Sequence, residues 1–293
     1  MTRRQLLQRT VFGSAAVGLP LFGHMRWVAP FDLQLRRERV TLAGLAAPPP
    51  SRPAPPPSLR IAHLSDLHAS GDVPDEFLTR AFDLALAEKP DVAVITGDFV
   101  TNGVGFAPAR YSRLLRRLSD RVPSFATMGN HDGGKWSGHF GSSEPIQSVL
   151  RNAGFEILHN RARVVESPVT GARVELVGLG DVWAQEFFPE AAFGSLTSGV
   201  PRIVLSHNPD TKSALERYDW QLMLAGHTHG GQIVFPLYGP PWVPVEDRNY
   251  LKGLKPWKNR LIQVTSGVGN IASIRLNCPP EVVMLDVLGR PAD

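Results

Sequence analysis

The sequence predicts an α/β fold, a layered sandwich of two mixed β-sheets flanked by helices. Three observations lead there. Short apolar runs at residues 59–64, 92–96 and 124–127 alternate with helix-like stretches at 74–88 and 109–118, which is the pattern of buried strands interleaved with helices. The second half is richer in strands, at 163–166, 173–177, 202–205, 221–224, 261–265 and 282–287, and two mixed sheets with helices outside are the simplest way to cover both faces of so many. Finally, five of the apolar runs end in clusters of Gly, His, Asp or Asn. No internal repeat and no second domain are legible after residue 58.

Taken in order, the chain begins with Thr2-Arg3-Arg4-Gln5-Leu6-Leu7 and a mildly apolar stretch from Val11 to Phe22. Residues 1–30 are therefore expected to be a twin-arginine-type export signal or a membrane anchor, with the twin-arginine machinery as a partner. Export would place the protein on the periplasmic or envelope side of the cytoplasmic membrane, and retention at that membrane's cytoplasmic surface is the alternative. His24 and Arg26 interrupt the run before the roughly 20 apolar residues that span a bilayer. No A-x-A cleavage site follows and Arg36, Arg37 and Arg39 lie downstream, so cleavage and retention both stay open. An ordinary amphipathic N-terminus with a coincidental Arg pair is the plain alternative.

Residues 31–58 hold a peripheral strand, from the apolar-polar alternation of Asp32 to Leu42, and the Pro-rich stretch Pro48 to Pro57. So many prolines favour an extended connector and exclude helix or central strand. The regular domain is expected over 59–293.

Bulk properties narrow the function classes. Of 293 residues, 43% are hydrophobic, enough for a sizeable core, and the single Cys278 excludes an internal disulfide. The net charge of +4 is lopsided: residues 1–60 carry nine Arg against Asp32 and Glu38, which leaves 22 basic and 25 acidic residues in the body. A polyanion-binding surface needs a basic body, so nucleic acid is not expected as a partner.

The chemistry lies at the strand ends. Asp66-Leu67-His68 follows the first run, Gly97-Asp98 the second, Gly129-Asn130-His131-Asp132 the third, His207 the run at 203–206 and Gly226-His227-Thr228-His229 the run at 222–225. Ligands in α/β sheets gather beyond the carboxyl ends of strands, so five such ends can converge. Imidazole and carboxylate suit divalent transition metals, and no thiolate lies nearby. Asp-x-His and His-x-His are extended-chain spacings that put two side chains on one face. The glycines before Asp98, Asn130 and His227 permit tight turns that aim these side chains. Singly, Asp66 or Asp98 reads as a helix cap and His207 as a core histidine; together and in order they read as a site. His63, inside a strand, reads as structural.

These motifs resemble the ordered set of calcineurin-like metallophosphoesterases, over about four-fifths of the chain from Leu59 onward. Gly230-Gly231-Gln232-Ile233 and Arg275-Leu276-Asn277-Cys278-Pro279-Pro280-Glu281 are similar to the bacterial exported or membrane-associated branch, related to UDP-2,3-diacylglucosamine diphosphatases. The resemblance implies a four-layer sandwich and two divalent metal ions (Mn, Fe or Zn). One ion is held by Asp66, His68 and His229, the other by Asn130, His207 and His227, with Asp98 bridging. His131 stands beside them as the catalytic residue that serves the leaving group. Two cations some 3.5–4 Å apart clamp the phosphoryl oxygens and make water nucleophilic near neutral pH. The sequence departs from many relatives after Asp98, where Phe99-Val100-Thr101-Asn102 offers no second carboxylate or Arg to clamp phosphate.

Between Pro236 and Arg260 runs a loop with Trp242, Trp257, Arg248, Lys252, Lys255 and Lys258. It reads either as a rim for an anionic, partly apolar substrate or a membrane surface, or as a solvated loop whose tryptophans cap the core. The expected activity is hydrolysis of a phosphodiester or diphosphate, of an envelope lipid or a nucleotide-sugar lipid such as UDP-2,3-diacylglucosamine. The alternatives are a broad phosphomonoesterase or nuclease, or a non-catalytic metal-binding interaction module.

Overall fold

The computed structural model describes residues 19–46, 57–69, 72–101, 107–137 and 140–290. Most of the expected export signal, the connector at 48–56 and Asn102 lie outside the described residues. Among the described residues the strands form two six-stranded mixed sheets. The first has the order β1 (Gln34–Ala43), β12 (Glu281–Arg290), β2 (Leu59–Leu64), β3 (Val92–Thr96), β4 (Ser124–Thr127), β5 (Glu156–Ile157). The second has the order β10 (Gly253–Trp257), β11 (Arg260–Val264), β9 (Leu222–Ala225), β8 (Arg202–Leu205), β7 (Arg173–Gly178), β6 (Arg161–Glu166). β2, β3, β4 and β5 run parallel, as do β7, β8, β9 and β11, so the carboxyl ends within each set point the same way.

Alternation along the strands builds the layers. In β2, Leu59 and Ile61 enter the core between the sheets, with Val94 and Phe125 beside them and Leu176, Ile203 and Leu224 opposite. Ala62 and Leu64 point the other way, into the core under the helices, as a period of two requires. Each fully buried side chain of this size is worth about 1.5–3 kcal/mol over its exposed state. Helix α1 (Asp75–Ala87) covers that outer face with Phe77, Leu78, Ala81, Phe82 and Ala85, a spacing that keeps them on one stripe. Asp75 and Glu76 occupy its first turn, where the helix dipole favours acids. Helix α2 (Pro108–Ser119) adds Tyr111, Leu115 and Leu118, and a third helix at Glu144–Asn152 adds Ile146, Val149 and Leu150. Outside the second sheet, Leu215, Trp220, Met223 and Tyr250 form a third cluster. The result is the four-layer α/β sandwich.

The peripheral strand is the edge strand β1, paired in parallel with β12, and its Val40 and Leu42 belong to the core between the sheets. The loop at 236–260 differs from expectation, because it contains β10. That strand lies at the edge of its sheet, where Pro256 needs no ladder partner on its outer side. β5, two residues long, is too short to show an apolar pattern in the sequence.

Candidate metal centre

All five ligand-bearing segments leave the carboxyl ends of β2, β3, β4, β8 and β9 and meet at one end of the sandwich. The β2 and β3 loops continue to bond each other past the strands: Asp66 N donates to Gly97 O (2.9 Å), His68 N to Asp98 O (3.0 Å) and Ala69 N to Phe99 O (2.9 Å). Asp66, His68, Asp98, His227 and His229 all hold positive φ, between 46° and 68°. Such a backbone is uncommon outside glycine. Of the three glycines expected to permit turns, only Gly97 has positive φ, 87°. Gly129 and Gly226 serve close approach instead: a Cβ on Gly129 would fall 2.3 Å from Asp98 Oδ1, and one on Gly226 2.4 Å from Asp66 Oδ2.

The side chains gather as two buried trios, Asp66 with His68 and His229, and Asp98 with His207 and His227, each with its ligand atoms within 4.8 Å of one another. His68 Nε2 lies 3.1 Å from His229 Nε2, and His207 Nε2 lies 3.2 Å from His227 Nδ1. His207 Nδ1 donates to Thr96 O (2.7 Å) and His227 Nε2 donates to Pro244 O (3.0 Å). A carbonyl oxygen only accepts, so the inward nitrogens of these two rings present lone pairs to each other, with Asp98 Oδ2 3.1 Å from His207 Nε2. Three acceptors converging without a donor fit a cation. Asp98 Oδ2 is also 3.6 Å from His68 Nε2 of the other trio, so one carboxylate stands between both. Asn130 Oδ1, buried and lacking any hydrogen-bond partner, is a further oxygen free for coordination.

Electrostatics agree with neutral imidazole ligands. Burial lowers His68 and His227 to about 3 and takes His229 well below its ordinary value. His207 is the exception: burial alone would lower it, but the Asp98 charge and hydrogen bond raise it well above the usual imidazole range. Against burial, His207 and His131 keep Asp98 well below the ordinary carboxylate range, whereas burial pushes Asp66 up to about 6.

The supporting residues are specific. Asp132 accepts backbone N–H bonds from Asp98 (2.9 Å), Phe99 (2.7 Å), Val100 (3.3 Å) and Gly129 (2.8 Å), which ties the Asp98 loop to the Asn130 loop. Burial and the nearby Asp98 charge push its carboxyl up to about 8, yet four donors leave no acceptor for a carboxyl proton, and the geometry accommodates the anion. Thr101, in the stretch that lacks a second carboxylate, pairs its hydroxyl with His68 Nδ1 (3.3 Å) and its carbonyl with His131 Nδ1 (2.7 Å). His131 N also donates to Asp98 Oδ1 (2.9 Å). With Nδ1–H fixed on Thr101, Nε2 is the His131 nitrogen available for chemistry. His63, hydrogen-bonded to Thr96 Oγ1 (2.9 Å) and held near 3 by burial, is structural.

Above the trios opens a cleft of about 410 Å³, lined by Asp98, Asn130, His131, His227 and His229 at its floor and by Trp183, Ile233, Trp242 and Ile271 on its walls. Sequence reasoning missed Trp183 and Asp181, which carry no spacing signature. Asp181 Oδ1 accepts from Trp183 N (2.7 Å) and Ala184 N (3.0 Å), and the Trp183 ring stands edge-on to His227 at 4.5 Å. Both readings of the 236–260 loop apply, to different halves. Trp242 borders the cleft, whereas Trp257 stacks on Trp220 at 5.7 Å. Its cations are engaged elsewhere: Lys252 pairs with Glu281 (2.8 Å), Lys258 with Glu216, and Arg248 donates to Pro240 O.

Comparison with known proteins agrees with this geometry. The family described as calcineurin-like phosphoesterase matches residues 59–231. The chain is 37% identical to phosphodiesterase YaeI of Escherichia coli (strain K12), over 98% of this chain and 100% of that protein. It is 31% identical to UDP-2,3-diacylglucosamine pyrophosphatase LpxG of Chlamydia trachomatis, over 80% of this chain and 84% of that one. It is 27% identical to the uncharacterized metallophosphoesterase YkuE of Bacillus subtilis (strain 168), over 97% and 96%. The chain belongs to the calcineurin-like phosphoesterase family, whose members use two divalent metals, and is a metal-dependent phosphoric ester hydrolase.

Proposed function

We propose that this calcineurin-like phosphoesterase hydrolyses a phosphodiester or diphosphate carried by a lipid of the cell envelope, a nucleotide-sugar lipid such as UDP-2,3-diacylglucosamine being one candidate. The observation that carries the reading is the pairing of two trios joined by Asp98 with an apolar-walled cleft directly above them. Asp66, His68 and His229 would hold one divalent cation (Mn, Fe or Zn) and Asn130, His207 and His227 the other, with Asp98 shared between them. Bound there, the cations supply Lewis-acid polarisation of the phosphoryl oxygens and a water that ionises near neutral pH.

The chain's own groups do the rest. Asp98 offsets cation repulsion with one shared charge, and neutral Asn130 leaves the floor positive enough to draw phosphate. As the new P–O bond forms and the ester P–O bond breaks, His131 in its doubly protonated form gives the Nε2 proton to the leaving oxygen and keeps its Nδ1–H on Thr101 O. Trp183, Ile233, Trp242 and Ile271 bind the apolar part of the substrate next to the phosphate. None of the described residues lining the cleft is Lys or Arg, which counts against a nuclease.

Enzyme reloaded with Mn is expected to turn over bis-p-nitrophenyl phosphate and a UDP-linked diacyl sugar faster than p-nitrophenyl phosphate. Equal or better turnover of the monoester contradicts the proposal. For residues 1–30 we propose twin-arginine export to the envelope side, supported by Arg3-Arg4 ahead of the apolar stretch. Replacing both with lysine is expected to leave the protein in the cytoplasmic fraction, and an unchanged distribution contradicts export by that route.

A further inference from the structure

The cleft opens through an apolar rim that projects into solvent. Residues 235–239 form a turn in which Phe235 N and Gly239 O bond at 3.0 Å. At its tip Leu237 is fully exposed and Tyr238 is 80% exposed. Trp242 borders the cleft and is 71% exposed. Across the opening stands Ile271, whose carbonyl accepts from the Gln232 side chain (2.9 Å). The turn is joined to the N-terminal helical segment: Val234 N donates to Leu276 O (2.9 Å), and the adjoining Arg275 N donates to Met25 O (3.0 Å). That segment adds exposed Phe22 and Trp27, in edge-to-face contact at 6.2 Å.

We infer that this rim and the segment at 19–28 form a face that docks on the surface of a lipid bilayer, so that the cleft opens toward the membrane. The inference rests on the reading of the cleft as a phosphoesterase site. Several features select a bilayer over another protein. Trp and Tyr standing beside aliphatic tips are the side chains that settle at the headgroup level, with an apolar body and a polar handle. The face continues in sequence into the apolar stretch that begins at Val11, preceded by Arg3, Arg4 and Arg9, and basic residues next to an apolar segment suit anionic headgroups. No described helix is long and apolar enough to cross a membrane. A lipid-linked phosphate can then reach the metal floor while its acyl chains stay in the bilayer.

The test uses the full chain. Cys278, its single cysteine, is buried, so Leu237→Cys can be labelled selectively with an environment-sensitive fluorophore. Val169→Cys is the control: it is exposed in the turn after β6, where Thr170 bonds Ser58 O ahead of β2, at the opposite end of the sandwich from the site. With vesicles of equal parts phosphatidylethanolamine and phosphatidylglycerol, the probe at 237 is expected to shift to the blue and to be quenched by brominated acyl chains, while the probe at 169 stays unchanged. Leu237→Ser with Tyr238→Ser is expected to weaken vesicle binding about tenfold or more. A chain that sediments with vesicles while the 237 probe stays silent overturns the inference, because the N-terminal segment alone then anchors it. A shift that follows protein concentration without vesicles also overturns it, in favour of a second copy of the chain. Turnover of bis-p-nitrophenyl phosphate by the unmodified protein separates the two readings: turnover with a silent probe sinks the docking face alone, and a responsive probe without turnover sinks the reading of the site.

Discussion

At the floor of the cleft nearly every side chain is buried and tied to backbone, as with Asp132 on four N–H groups, His207 on Thr96 O and His227 on Pro244 O. At the mouth, Leu237, Tyr238 and Trp242 stand in solvent. The floor holds five strained ligand backbones in place with the two sheets behind it, because charge placement within a fraction of an ångström decides such chemistry. The mouth needs only shape and apolar area, which can vary while the reaction stays the same. Changes at the floor should therefore alter metal content or the chemical step for every substrate, and changes at the mouth should discriminate between substrates.

The largest effect is expected for Asp98→Asn. Removing the charge shared by both trios should drop metal content and turnover together to background, as read by inductively coupled plasma mass spectrometry and diester hydrolysis; full metal content in this variant would break the assignment of Asp98 as a bridge. Next comes His131→Ala, which should lose about 10²–10⁴-fold in kcat with metal retained, the usual worth of a proton donor. Metal loss as deep as that of Asp98→Asn would make His131 a ligand instead. Asp132→Asn exchanges an acceptor of four N–H bonds for a group that must present one NH₂ to them. Metal affinity is expected to fall about 10–100-fold, as for other residues that orient ligands, with activity recovered at high Mn; failure to recover would mean that the loop itself has collapsed. The smallest effect belongs to the mouth: Trp242→Ala should raise KM for a lipid-linked diphosphate about tenfold, the cost of losing one aromatic contact to the apolar part of the substrate, and leave kcat on the soluble diester nearly unchanged. An equal loss on both substrates would erase the distinction between floor and mouth.

The same contrast governs what could be read from the sequence. The floor was legible because parallel strands must end in loops, and those loops carry Asp66-x-His68, Gly97-Asp98, Gly129-Asn130 and His227-x-His229 directly after apolar runs. β10 was hidden, since Lys255 and Pro256 break the apolar pattern and only an edge position tolerates them. Trp183 and Asp181 reach the site from a long loop after β7 by tertiary packing alone. Thr101 looked like a missing clamp, yet it pairs with both His68 and His131. Arg275 has no spacing signal of its own in the sequence. Its guanidinium is fully buried and donates to the carbonyls of Ser266, Gly269 and Cys278, so it braces the loops beneath His229. Such roles depend on backbone carbonyls that only the folded chain brings together.

The most direct test of the two-cation floor is anomalous diffraction from crystals grown with Mn. Two peaks are expected on either side of the Asp98 carboxylate, one among Asp66, His68 and His229 and the other among Asn130, His207 and His227. A single peak, or none at these side chains in a folded and active protein, would contradict it.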